Sequence, residues 1–138
     1  GINLTVATPV GYEPDEKIAE LAMQDAKAAG VEITILNDPV VAAKDADVIY
    51  TDVWASMGQE SEQGVRSREF GDFQVNAELV KYAKPDYIFM HCLPAHRGYE
   101  VTDEVIESSN SVVFDQAENR LHVQKAILVK LLGGKSLG

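Results

Sequence analysis

The residues best suited to chemistry lie directly after two short apolar runs. Residues 87–90 (Tyr-Ile-Phe-Met) precede His91 and Cys92, which is the one cysteine among the 138 residues. Residues 48–51 (Val-Ile-Tyr-Thr) precede Asp52. Both runs are typical of short buried strands, and ligands bind at the carboxyl edge of open parallel sheets. The pattern therefore predicts that a thiol and a carboxylate meet at one edge of a sheet.

Further polar groups follow the Asp52 run, because Ser56 and Met57 come shortly after it. A carboxylate such as that of Asp52 suits an ammonium group, whereas a hydroxyl and free backbone N–H groups around Ser56 suit a carboxylate. The thiol of Cys92, on a neighbouring strand end, would be close enough to contact a reacting atom. Together these groups predict a small ligand that carries both an ammonium and a carboxylate.

Each of these residues also has a purely structural interpretation. Cys92 fits a small buried hydrophobic side chain, Asp52 fits a turn, and Ser56 fits a helix cap. His91, Cys92 and His96 resemble zinc ligands, but a closed zinc site needs four ligands and the sequence offers no fourth. No Gly-x-Gly-x-x-Gly motif occurs, which removes the dinucleotide fingerprint, so neither a metal nor a cofactor is expected. A cysteine-dependent hydrolase is a further alternative, although no oxyanion-hole motif accompanies the thiol.

Composition restricts the class of protein. A chain of 138 residues with 46% hydrophobic residues fits one globular core. Its 12 basic and 22 acidic residues give a net charge of −10, which disfavours nucleic acids and anionic membranes as partners. No apolar run is long enough for a membrane span or a secretory signal. A single cysteine excludes an internal disulfide framework and predicts a cytosolic protein.

The elements that must position these residues alternate between strands and helices. Strands are predicted over residues 2–7, 31–36, 48–51, 87–90 and 111–115. Helices are predicted over residues 15–29, 40–44, 76–82, 102–107 and 118–132, with a long polar loop over residues 58–73. Such alternation predicts parallel pairing with right-handed crossovers, an α/β fold in which helices flank an open parallel sheet.

Three ordered motifs resemble those of ornithine carbamoyltransferase. They are Asp-Val-Trp-Ala-Ser-Met-Gly-Gln-Glu at 52–60, His-Cys-Leu-Pro-Ala-His-Arg-Gly at 91–98 and Ala-Glu-Asn-Arg-Leu-His at 117–122. Aspartate carbamoyltransferases share the fold but differ in the Ser-Met-Gly loop and lack the Cys-Leu-Pro run, so the resemblance implies ornithine as the second substrate. It also implies a Rossmann-like fold and carbamoyl transfer from carbamoyl phosphate to ornithine, a step of arginine biosynthesis.

The resemblance assigns ornithine-binding roles to three residues. Asp52 matches the carboxylate that holds the amino groups of ornithine. Ser56 and Met57 match the loop that binds its α-amino-acid end. All three follow the same predicted strand, so we expect them to share one side of the site.

The resemblance assigns the reacting groups to another three residues. Cys92 matches the proton acceptor beside the attacking δ-amine, and with Leu93 it also faces carbamoyl phosphate. Arg120 matches an arginine that helps to bind carbamoyl phosphate. These roles suit the chemistry, because an amine attacks only when it is neutral and a leaving phosphate needs cationic groups.

Two motifs of the family do not occur among these 138 residues, namely Ser-Thr-Arg-Thr-Arg and His-Pro-Cys-Gln. The strand–helix unit that carries a Gly-Asn-Asn turn does not occur either. We therefore expect residues 1–138 to form a partial ornithine-binding domain, without its first strand–helix unit or the carbamoyl-phosphate domain, and inactive alone. A homo-oligomer is expected, most simply a dimer. The alternative is a self-associating α/β structural module that keeps the fold without activity.

Overall fold

The computed structural model describes residues 1–55 and 63–133, in which strands and helices alternate. The strands are β1 (Leu4–Ala7), β2 (Ile33–Leu36), β3 (Val48–Thr51) and β4 (Ile88–His91). The helices are α1 (Glu16–Ala29), α2 (Pro39–Ala43), α3 (Gln63–Glu69), α4 (Ala77–Val80), α5 (Asp103–Ile106) and α6 (Val113–Leu132), with a 3-10 helix at Gly71–Phe73. Parallel strands flanked by helices confirm the predicted α/β class.

Short polar side chains set the starts of several helices. Asp15, Asp38 and Asn76 each accept hydrogen bonds from backbone N–H groups in the first turn of α1, α2 and α4. These donors have no partner inside a helix, so the caps stabilise each helix start. Gly30 ends α1 at φ 69°, a left-handed conformation that glycine adopts at little cost.

The strands form two parallel pairs. β1 pairs with β2, and β3 pairs with β4 in a register that sets Thr51 opposite His91. In the described part of the chain the two pairs share no ladder of hydrogen bonds. A cleft of about 550 Å³ lies between them, lined by residues 5–8 of one pair and residues 48–53 of the other. The expected open sheet is thus divided into two halves.

The core lies on the β3–β4 side. Phe89 of β4 is fully buried, as is Val101, while Val105 of α5 and Val113 at the start of α6 are almost so. Helix α6 continues outward with many exposed apolar residues. Nevertheless, no helix among the described residues is long and apolar enough to cross a membrane.

The predicted fifth strand over residues 111–115 is wrong. Ser111 forms only an isolated bridge with Phe89, and the Val112 N–H donates to the Phe89 carbonyl at 3.0 Å. Helix α6 then begins at Val113 rather than near residue 118. The β-branched pair at 112–113 favours a strand by propensity, but burial of Val113 beside the core overrides that preference.

The predicted long loop over residues 58–73 is also wrong where it is described. It contains α3 and the 3-10 helix, although the sequence there has little apolar periodicity. Tertiary contacts hold this segment. Arg66 donates to the Trp54 carbonyl at 2.9 Å, and the ring of Phe70 packs edge-on against Tyr12 at 4.8 Å between centroids.

Candidate active site

The register of β3 and β4 brings Asp52 beside Cys92. Thr51 is paired with His91, so the next residue on each strand leaves the sheet at the same edge. The Cys92 Sγ–H donates to Asp52 Oδ1 across 3.0 Å. The predicted meeting of thiol and carboxylate is therefore confirmed, whereas the substrate roles assigned to the two residues stay predictions.

The environment of Cys92 keeps its sulfur protonated. Partial burial is the largest influence and raises the pKa of the thiol above its ordinary value. The hydrogen bond to Asp52 and the charge of that carboxylate raise the pKa further, while a backbone N–H and the Tyr50 hydroxyl lower it in part. At neutral pH the pair therefore consists of a thiol donor and a carboxylate acceptor.

A buried histidine and glutamate lie under the turn that carries Cys92. The His91 ring accepts the Leu93 N–H at Nδ1 over 2.8 Å, so the neutral ring carries its proton on Nε2. Nε2 faces Glu100 Oε1 at 3.3 Å, and both side chains are almost completely buried. Glu100 also accepts the backbone N–H of His96. This network fixes both ends of the turn over residues 91–96.

The network bears on two alternative interpretations. Both ring nitrogens of His91 have partners, and no group of three potential metal ligands occurs within residues 1–55 and 63–133. His91 is therefore not placed to join Cys92 and His96 around zinc. A cysteine hydrolase needs an imidazole as the base for its thiol. Here the partner of Sγ is the carboxylate of Asp52.

Leu93 occupies a sharp turn at the strand end. Its φ is 55°, in the left-handed region that costs a non-glycine residue about 1–2 kcal/mol, and the following peptide bond to Pro94 is cis. The hydrogen bond to His91 holds Leu93 in this conformation. The Leu93 backbone N–H is thereby occupied and points back towards the strand.

The remaining predicted residues lie apart from this pair. Ser56 and Met57 fall outside the described residues. Arg120 lies on the exposed surface of α6, one turn beyond Gln116, which contacts β4. Its guanidinium forms no ion pair within the described ranges. The structure therefore brings together Asp52, Cys92 and Leu93, with Arg120 further out on the neighbouring helix.

The sequence analysis missed three residues of the site. Glu100 supports His91 from below, and Gln116 of α6 bridges the His91 N–H and the Tyr50 hydroxyl, each at 3.1 Å. Tyr50 carried a signal, since it lies two residues before Asp52 and therefore faces the same side of the extended chain. Glu100 and Gln116 carried none, because only tertiary folding brings them to the strand ends.

The two sides of the undescribed segment are fixed to each other. Before it, the Trp54 ring lies 6.0 Å from Phe70, and its carbonyl accepts from Arg66 after it. Tyr12, from the loop after β1, contacts Phe70 and lies beneath the Arg66 guanidinium at 5.8 Å. Contacts from three parts of the chain therefore converge around Trp54 and Phe70, which precede and follow the undescribed segment in the sequence.

The fold and the strand-edge pair define an α/β domain with a thiol and a carboxylate at the carboxyl ends of paired strands. The family profile described as aspartate/ornithine carbamoyltransferase, Asp/Orn binding domain, matches residues 1–131. The chain belongs to this family. Solved structures of ornithine carbamoyltransferases superpose on the chain, and the Rossmann-like class expected from the sequence is confirmed.

Particular relatives sharpen the comparison. The chain is 67% identical over 134 residues to an ornithine carbamoyltransferase of Thermococcus kodakarensis, covering 97% of the chain and 42% of the relative. It is 65% identical over all 138 residues to that of Pyrococcus abyssi, covering 44% of the relative. The solved ornithine carbamoyltransferase of Pyrococcus furiosus superposes with a TM-score of 0.92 at 65% identity, over 99% of the chain and 44% of that structure. The chain thus spans less than half the length of these relatives.

Proposed function

We propose that this chain is the ornithine-binding part of an ornithine carbamoyltransferase, which converts carbamoyl phosphate and L-ornithine to L-citrulline and phosphate. We place the reaction in the cytoplasm and in arginine biosynthesis. Family membership supports the reaction class. The structural observation that supports the proposal most directly is the 3.0 Å hydrogen bond between Cys92 and Asp52.

The pair suits both tasks of an ornithine site. Asp52 attracts the ammonium groups of ornithine and places the δ-amine beside Sγ. Attack on the carbamoyl carbon requires the amine to lose a proton. When an ammonium group of ornithine pairs with Asp52, the carboxylate no longer holds the Cys92 proton as strongly, so the thiol can lose that proton to solvent. The thiolate of Cys92 then accepts the proton from the amine as the new C–N bond forms and the bond to phosphate breaks.

Carbamoyl phosphate would lie on the α6 side of the pair, near Cys92, Leu93 and Arg120. Arg120 is exposed and supplies a positive charge for the anionic phosphate. Ser56 and Met57 would hold the other end of ornithine. One arginine is a weak clamp for a dianionic leaving group, so we expect the isolated chain to be inactive.

A citrulline assay on two proteins tests the proposal. The isolated chain should give no turnover above a Cys92→Ala control. A chimera in which the chain replaces the matching segment of the Pyrococcus abyssi relative should be active. An inactive chimera that folds and assembles like its parent would contradict the proposal.

Variants of the active chimera then test the roles of individual residues. Cys92→Ala and Asp52→Ala should each lower kcat by about 100-fold or more, since both would touch the reacting amine. Ser56→Ala should mainly raise KM for ornithine, because it would hold the far end of the substrate. Asp86→Asn, an exposed change away from the site, is the matched control. A spared Cys92→Ala with an inactive Ser56→Ala would reverse the assignment.

The self-associating alternative is favoured by the cleft between the strand pairs. β1 pairs only with β2 and β3 only with β4 in the described ranges, so backbone groups on their other edges lack strand partners. A second copy would supply such partners, and a symmetric dimer is the simplest assembly. Sedimentation equilibrium should give twice the chain mass. A folded monomer at high micromolar concentration would exclude this assembly.

A further inference from the structure

Tyr50 lies beside the Cys92–Asp52 pair without belonging to it. Tyr50 pairs with Met90 in the β3–β4 register, and residues two apart along a strand face the same side. Tyr50 therefore lies on the face that Asp52 and Cys92 continue beyond the strand ends. Asp52 on that face is hydrogen-bonded to the thiol. The Tyr50 side chain therefore extends along the surface that carries the sulfur.

Gln116 holds the hydroxyl of Tyr50 in place. Its Nε2 donates to Tyr50 Oη at 3.1 Å, and its Oε1 accepts the His91 N–H at 3.1 Å. The side-chain amide is thus tied to the strand that carries Cys92. Since Oη accepts from Gln116, the proton of the Tyr50 hydroxyl remains free to be donated elsewhere.

We propose that Tyr50 and Gln116 form a positioning pair for Cys92, in which Gln116 orients the Tyr50 hydroxyl to donate to Sγ and so stabilises the thiolate. The inference rests on the proposed function in one respect, namely that Cys92 acts as the proton acceptor. Asp52 favours the thiol and Tyr50 favours the thiolate. The Cys92 sulfur therefore has a proton acceptor, Asp52, and a proton donor, Tyr50, which are two residues apart in the sequence.

The charged and titratable surroundings of Cys92 are simple in the described part of the chain. Asp52, directly after β3, accepts the thiol hydrogen bond, Tyr50 of β3 lies on the same face, and both influence the pKa of Cys92. From α6, the neutral side chain of Gln116 contacts the His91 N–H and the Tyr50 hydroxyl. His91, on β4 itself, is directed to Glu100. A change at Tyr50 therefore alters one hydrogen-bond donor and no full charge.

Alkylation by iodoacetamide tests the pair on the chain itself, because Cys92 is its one cysteine. The rate follows the thiolate fraction, so its pH profile reports the thiol pKa. Tyr50→Phe should shift the profile to higher pH and slow alkylation about two- to threefold at a pH below the midpoint. Tyr82→Phe, a half-exposed tyrosine elsewhere, is the matched control and should not move the profile.

A double substitution tests whether Gln116 acts through Tyr50. Gln116→Leu should shift the profile in the same direction, and Tyr50→Phe with Gln116→Leu should shift it no further than Tyr50→Phe alone. An unchanged profile for Tyr50→Phe would overturn the proposal, and so would fully additive shifts. Circular dichroism checks that each variant is folded, and Tyr50→Phe alone decides the matter if Gln116→Leu unfolds. The assay uses no ornithine, so an incorrect proposed function would leave its outcome unaffected.

Discussion

The two strand pairs of this chain are built alike and buried very differently. Each consists of two parallel four-residue strands in full register. Leu4 of β1 is 48% exposed, whereas Phe89 of β4 is completely buried. Helix α1 buries only Ala26, while the apolar Leu21 remains 58% exposed. The core gathers almost entirely around the β3–β4 pair.

This difference shows that strand pairing alone does not create a core. The hydrogen bonds of β1 and β2 satisfy the backbone on one side of each strand, but burial requires further layers on both faces of the sheet. β4 has those layers, since α5, α6 and the segment around Val75 and Val101 contribute to the same cluster. The thiol and the carboxylate lie at the end of this better supported pair. A site that must hold two groups at 3.0 Å gains rigidity from that support.

The largest expected contrast is in stability. Phe89→Ala should lower the free energy of unfolding by about 3–5 kcal/mol, because it opens a cavity in a fully buried position. Leu21→Ala on the exposed face of α1 should cost less than about 1 kcal/mol. Urea denaturation of both variants measures the contrast, with Phe89→Leu as a milder variant if Phe89→Ala does not fold. Equal losses would mean that the α1 face is covered in solution, for example by a second copy of the chain.

The same contrast explains which parts of the fold were predictable. Helix α1 was predicted within one residue, because Asp15 and Gly30 are local signals for its start and its end. β3 was predicted at its observed bounds from its short apolar run. The strand predicted over residues 111–115 was wrong because packing at Val113 overrode the local preference for strand. Local chemistry defines element ends, whereas the division of the sheet and the location of its core depend on tertiary contacts.

The second contrast concerns buried polar groups. Glu100→Ala should lower the free energy of unfolding by about 2–3 kcal/mol, because it leaves the His91 ring N–H and the His96 backbone N–H without their acceptor. Glu104→Ala, an exposed change on α5, should have almost no effect. Thermal and urea unfolding provide the measurement. If Glu100→Ala were as neutral as Glu104→Ala, the buried network would contribute nothing to holding the turn at residues 91–96.

The candidate site was predictable in the same limited way as the fold. Asp52 and Cys92 were found because both follow apolar strands, and parallel strands end at a common edge. Glu100 and Gln116 could not be found, since they are 8 and 24 residues beyond Cys92 in the sequence and meet its strand only after folding. The residues at the strand ends could thus be predicted from the sequence, whereas the residues that contact and support them could not.

The third contrast is electrostatic and concerns the direction in which a substitution shifts the pKa of the Cys92 thiol. Asp52→Asn removes a negative charge and weakens the hydrogen bond that keeps Cys92 protonated, so the pKa of the thiol should fall. The pH profile of alkylation should move to lower pH, opposite to the shift expected for Tyr50→Phe. Asp86→Asn serves as the control. An unchanged profile for Asp52→Asn would show that burial alone, and not the carboxylate, raises the pKa of the thiol.

The smallest effect on stability should come from the more exposed β1–β2 side, at Glu13 in the loop after β1. Its carboxylate accepts the Gly11 N–H at 2.8 Å and the Asn37 side-chain amide at 2.9 Å. Donation from its own backbone N–H, followed by that from Asn37, lowers the pKa of Glu13. A depressed folded-state pKa contributes stability above the unfolded value of 4.5, and this contribution is lost as pH falls through the folded pKa.

Glu13→Gln should therefore lower Tm slightly at neutral pH, and the difference from the parent chain should vanish under acidic conditions. Glu20→Gln, an exposed change on α1, is the control and should follow the parent at every pH. Because Glu13 is fully exposed, solvent screens its interactions and the effect should be far smaller than that of Glu100→Ala. A loss of stability as large as that of Glu100→Ala would contradict the contrast between the exposed β1–β2 pair and the buried β3–β4 pair. It would mean that the loop after β1 is buried in solution, against a second copy of the chain or another partner.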